Sequence, residues 1–273
     1  MEPTFQVLPP GRPTPPPSRP KPQGIWGWIA AGAVVVFKFG VLALKSLKTS
    51  LSMLLMIWIY SWAFGWPFAI GIVFLIFVHE MGHVIAAKLL GIPVTAPIFI
   101  PFLGAAITMK QNPRDAWTEA LMAYGGPLAG CIGSWICWYA AIQLDQHWLM
   151  AVASASFVIN LFNMIPVPPL DGGRICAAVS PWFWLIGTVL LVAAVLFFHA
   201  LNAIFIVVLV LIFAFPRIKQ TLFGQTTPEM QQYYNTHISN RLTMALLYLG
   251  LIAALLLGYW DASQHLAYLW ESN

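Results

Sequence analysis

Charge is what this sequence has least of. Asp, Glu, Lys and Arg make up 8% of its 273 residues, against roughly 25% in an ordinary soluble domain. A soluble fold so poor in charge would leave most of its apolar surface in water. Lipid is the solvent that suits a chain 60% hydrophobic. Acidic residues number nine, so any that lies inside an apolar run needs a reason to be there. Cysteine is nearly absent too. Cys131, Cys137 and Cys176 sit in apolar or membrane-edge sequence, where Cys behaves as a small hydrophobe rather than as a redox or zinc ligand. No basic face is interleaved with aromatics, and the net charge is only +4, which excludes a nucleic-acid partner. No cleavable leader is expected, since apolar sequence begins only after a 24-residue polar start.

What is present divides into three parts. Residues 1–22 hold nine prolines, and the segment 1–24 reads as an extended, disordered tail. In 25–48, Lys38, Lys45 and Lys48 fall within an arc of about 80° at 100° per residue. That reads as an interfacial amphipathic helix with Trp26 and Trp28 near the headgroups, a true span being the alternative. Residues 49–273 form the membrane domain. Seven stretches approach the roughly 20 residues a crossing needs, near 51–65, 67–89, 118–142, 148–165, 182–198, 200–215 and 241–260. The expected fold is therefore an all-α polytopic membrane protein of about six to seven transmembrane helices.

Charge placement orients it. Lys88, Lys110, Arg114, Arg174, Arg217, Lys219 and Arg241 fall in alternate connections. The intervening ones, at Gly65–Trp66, Asp145–His147 and His199, carry no Lys or Arg. By the positive-inside rule the N-terminus is cytosolic and the C-terminus outside. A multi-pass protein of the cell membrane or of an organelle membrane is expected.

The second stretch contains His79-Glu80-Met81-Gly82-His83, the H-E-x-x-H pattern. On a helix the two histidines lie one turn apart on one face, so both imidazoles can reach a single ion. Zinc suits two nitrogens and a carboxylate at about 2.0–2.2 Å, with a fourth position left for water. Glu80 can take that water's proton as it attacks a carbonyl. Of the acidic residues only Glu80 lies deep in an apolar stretch. A charge at mid-bilayer costs roughly 2.5–3.5 kcal/mol, so it is retained for a partner or a task.

Counting from Pro67, His79 lies about 18 Å and His83 about 24 Å along the helix, in the cytosolic half. Of the carboxylates on that side, Asp115, Glu119 and Asp171 are the candidates of interest. Asp171 follows Pro166, Pro168 and Pro169, which end the fourth stretch, and precedes Gly172 and Gly173, which permit a tight turn. Asp171 is the first choice as third ligand and Glu119 the second.

These motifs resemble the site-2 protease family of intramembrane zinc metalloproteases. The resemblance rests on His79–His83, on Asn160-Leu161-Phe162-Asn163, on Pro166 to Gly173 and on Gly125-Gly126-Pro127-Leu128-Ala129-Gly130, and it covers about 67–175. It implies one zinc ion per chain held by His79, His83 and Asp171, with Glu80 as base and Asn163 holding the substrate carbonyl. It also implies a transmembrane protein as substrate, cut within or near its spanning segment. The chain looks like the compact form, without an inserted PDZ domain or a C-terminal regulatory module. The segment Val94–Met109, broken by Pro97, Pro101 and Gly104, reads equally as that family's membrane-embedded β-hairpin or as a plain loop. Asn160 reads as a helix–helix hydrogen bond, and Gly126 with Gly130 as a close-packing step. Two rival readings remain, a zinc-binding transporter and an inactive scaffold that binds membrane proteins. Oligomeric state has no signature in the sequence.

Overall fold

The computed structural model describes residues 47–101, 104–109, 111–197, 204–224 and 227–271. The expected tail and most of the expected interfacial helix lie outside them, as does His199. Helix α1 (Leu47–Phe64) comes first, followed by α2 (Trp66–Leu89), β1 (Ile98–Ile100), β2 (Gly104–Ala106), α3 (Ala116–Leu144) and α4 (His147–Asn163). Then come α5 (Asp171–Val179), α6 (Phe183–Phe197), α7 (Ile204–Phe223), α8 (Pro228–Tyr234) and α9 (Ile238–Glu271).

Helix boundaries follow local chemistry. Gly65, at φ +79°, breaks the chain between α1 and α2, and Pro67 starts α2 in the first turn, where a missing N–H costs nothing. Asp115 caps α3, its carboxylate accepting from the Thr118 amide at 2.7 Å. At the other end Asp145 turns left-handed, at φ 51°.

A helix lies on each of the seven apolar stretches. Among the described residues, four are long and apolar enough to cross a membrane: α1, α2, α3 and α9 up to Tyr268. Helix α4 has 17 residues, about 25 Å at 1.5 Å per residue, short of the roughly 30 Å hydrocarbon thickness. Large apolar side chains face outward along the helices, among them Trp62, Ile85, Ile136, Val189 and Leu246. A water-soluble protein does not expose so much apolar surface. This is a membrane protein.

Half of the apolar windows of α2 and α3 is buried, against 6% for α1. Helix α3 is central and packs on α2, α4, α5 and α9. Phe157, Met164, Ile175, Met244 and Leu255 fill the main core around it. The α2–α3 contact is close because it is made at glycines. A Cβ on Gly82 would collide with the Gly125 carbonyl, and one on Gly125 with the Gly82 carbonyl. Strands β1 and β2 pair antiparallel, with Phe99 opposite Ala105, and Val94 forms an isolated bridge to Met109. Helix α1 ties β1 in place, since Phe99 N–H donates to Ser52 Oγ at 3.1 Å.

Candidate metal centre

Three side chains from two elements converge in the core. His79 and His83, one turn apart on α2, bring their Nε2 atoms to 3.2 Å. Asp171, the first residue of α5, places Oδ2 3.2 Å from each of them. Among the described residues they form the one group of His, Cys, Asp and Glu donors that could hold a metal ion. The spacing fits such an ion. Donors about 2.0 Å from a tetrahedral zinc lie about 3.3 Å from one another, and two imidazoles with a carboxylate are a catalytic zinc's usual set.

The other ring nitrogens are engaged, so that Nε2 of each histidine is left free to bind an ion. His79 Nδ1 lies 2.9 Å from Asn160 Oδ1, and His83 Nδ1 lies 3.0 Å from the Met122 carbonyl. Both acceptors require a proton on Nδ1, which leaves the Nε2 lone pair free. Asn160 is held in turn, its Nδ2 donating to the Ser156 carbonyl at 2.9 Å. Its bond is therefore made to a candidate ligand, beyond the helix–helix role expected of it. Gly126 and Gly130 serve the same end. A Cβ on the first would strike the His83 ring, and one on the second the Asn160 amide.

Asp171 opens α5, and other helices clamp that first turn and the loop before it. Trp184 Nε1 donates to the Gly173 carbonyl at 2.7 Å, and the Tyr248 hydroxyl donates to the Met164 carbonyl. Gly172 lies against that Met164 carbonyl with no room for a Cβ.

Glu80 is 7% exposed. With the three donors it lines a cavity of about 740 Å³, whose wall includes Val94, Ile100, Met109 and Asn163. Asn163 donates from Nδ2 to the Ile159 carbonyl at 3.1 Å, within its own helix.

Glu119, the second choice as third ligand, is taken up elsewhere. Its Oε1 accepts from Arg174 Nε at 3.1 Å and its Oε2 from the Tyr233 hydroxyl at 2.5 Å. Burial and the Glu119 carboxylate push the Tyr233 phenol well above its ordinary range, so it stays a donor. Asp115 is spent on the α3 cap. His237 pairs with Ser239 and His265 with Asp261, and neither joins the group. The three cysteines are free thiols outside it.

Residues 67–147 match the sequence model of peptidase family M50. Over 106 residues the chain is 29% identical to a zinc metalloprotease of the archaeon Methanocaldococcus jannaschii. That similarity covers 37% of this chain and 30% of the relative, so it spans about a third of the relative's length. The family match takes in His79, Glu80 and His83 and stops before Asp171, which is joined to them by geometry. The resemblance read from the motifs is thus matched in residues 67–147, which carry the signature of peptidase family M50.

Proposed function

We propose that this chain is a zinc metalloprotease that hydrolyses peptide bonds within or near the transmembrane segments of other proteins. One observation carries the reading: two histidines and an aspartate converge at 3.2 Å beside a buried glutamate, in a cavity walled by apolar helices. His79, His83 and Asp171 hold one zinc ion. Bound there, zinc would supply a Lewis acid to polarise the scissile carbonyl.

The chain's own groups do the rest. Glu80 accepts a proton from the attacking water as its oxygen bonds to the carbonyl carbon. The same carboxylate then delivers the proton to the amide nitrogen as the C–N bond breaks, leaving a carboxylic acid and an amine. Asn163 holds the oxygen on which charge develops. A helical substrate hides its peptide bonds, so it must be extended before cleavage. Strands β1 and β2, whose Ile100, Gly104 and Ala105 share the cavity wall, offer backbone partners for such a strand.

The site lies in the cytosolic half of the membrane, and the helices beyond the four long ones complete six to seven crossings. Taking α2 from Trp66, His79 lies about 20 Å and His83 about 26 Å along a helix of about 36 Å. The shorter wet route runs past the Pro166–Asp171 loop to the face where Arg174 and Arg217 lie. A cut there leaves the cytosolic product only a short apolar stub, too short to span.

The test is cleavage of a transmembrane reporter co-expressed with the full chain. Cleavage should depend on both zinc and Glu80, with the product appearing in the cytosolic fraction. A reporter cut equally well by the Glu80→Gln variant sinks the reading.

A further inference from the structure

The two oxygens of the Asp171 carboxylate have different company. Oδ2 faces both histidines at 3.2 Å. Oδ1 faces the Arg174 guanidinium, one turn further along α5, at 4.0 Å. Arg174 is gripped from its other edge, where Nε donates to Glu119 Oε1 at 3.1 Å. Glu119 in turn accepts from Tyr233 of α8. The Arg174 side chain is 20% exposed and that of Glu119 10%, so water does little of this holding. One guanidinium therefore bridges two carboxylates that belong to different helices.

The difference between the oxygens bears on the metal. A catalytic zinc site keeps three protein donors and one open position. A carboxylate that turned both oxygens to the ion would fill that position. A cation beside Oδ1 gives this oxygen a competing partner on the far side of the carboxylate. Arginine suits the task because its planar fork presents Nε and a terminal nitrogen in fixed directions, one to each acid. A lysine has a single charged point and cannot face both at once.

We propose that Arg174 is a positioning residue that keeps Asp171 to one-oxygen ligation and so keeps the fourth position open, with Glu119 and Tyr233 holding Arg174 in register. The inference rests on the reading of His79, His83 and Asp171 as a metal site. It assigns Glu119 a place in that site without making it a ligand.

The test is the visible spectrum of Co²⁺ loaded into the full chain, stripped of zinc and purified in detergent. Four-coordinate cobalt absorbs several-fold more strongly than five- or six-coordinate cobalt, so band intensity reports how many donors the ion has. Wild type should show the intense four-coordinate bands. Arg174→Gln should lose them while remaining folded by circular dichroism, with kcat on a transmembrane reporter down about 10–100-fold. Arg174→Lys should restore part of both. Glu119→Gln should shift the bands in the same direction by less. A role confined to stability would lower the melting temperature and leave the bands alone, and a folded Arg174→Gln with a wild-type spectrum overturns the proposal. Should that variant fail to fold, wild-type spectra in both Glu119→Gln and Tyr233→Phe overturn it equally. If the wild-type chain takes up no cobalt, the metal reading itself falls. If it takes up cobalt and only the Arg174 variants behave as wild type, the metal reading stands and this inference alone is lost.

Discussion

At the scale of single residues, the proposed function separates the groups that would hold the ion from the group that would move a proton. Glu80→Gln keeps all three donors and removes only the proton acceptor. Turnover should fall by about 10²–10⁴-fold with zinc content unchanged, as metal analysis of the purified variant would show. Asp171→Ala removes a donor together with the charge that offsets the cation, so zinc and activity should be lost together. Asn160→Leu takes away the acceptor that orients His79. Zinc affinity, measured by competition with a chelator, should drop about 10–100-fold; an unchanged affinity would reduce Asn160 to packing. The pair His79 and His83 was legible because their spacing is a helical period. The acceptors that fix their Nδ1 atoms were not. The bond from His79 to Asn160 spans 81 residues, and the pair of Arg174 with Glu119 spans 55. No periodicity records which distant side chains will meet.

At the scale of elements, the position of the histidines depends on how closely α2 approaches α3. Adding a methyl at Gly82 would drive it into the Gly125 carbonyl, which has no side chain to swing aside. Gly82→Ala should cost about 1–3 kcal/mol by overpacking and lower the melting temperature. Gly250, on α9, has nothing within 4 Å of where its Cβ would be. Gly250→Ala should leave the melting temperature unchanged or raised, since Ala is the better helix former by about 1 kcal/mol. Equal losses in both variants would show that the α2–α3 crossing is not special. A glycine step in an apolar run says that something packs closely there. That Gly126 and Gly130 clear space for the His83 ring and the Asn160 amide could be seen only once the partners were in place.

At the scale of the whole molecule, hydropathy located the helices, and four of those described are long and apolar enough to cross a membrane. A helix lies on every apolar stretch, yet α4 has 17 residues and α7 carries Pro216, Arg217 and Lys219 near its end. Length and charge, rather than mean apolarity, decide whether such segments traverse lipid. Orientation is open to a direct measurement across α3, whose 29 residues extend about 43 Å. In a background without native cysteines, Gln146→Cys should react with a membrane-impermeant thiol reagent in intact cells, and Asn112→Cys should not. The reverse pattern would turn the molecule over and move the site to the opposite half of the bilayer.

The donors of the metal centre lie far apart in the chain: Asp171 follows His79 by 92 residues, with all of α3 and α4 between them. An ion bound to both ends acts as a removable cross-link that closes this stretch into a ring. An ion that bound the folded chain alone would, at 100 times its dissociation constant, add about 2.7 kcal/mol of stability by mass action. Chelation should therefore soften the helices between the two ends as well as halt turnover. The loss should appear as a lower melting temperature and faster amide exchange in α3 and α4, and in Asp171→Ala zinc should no longer reverse it.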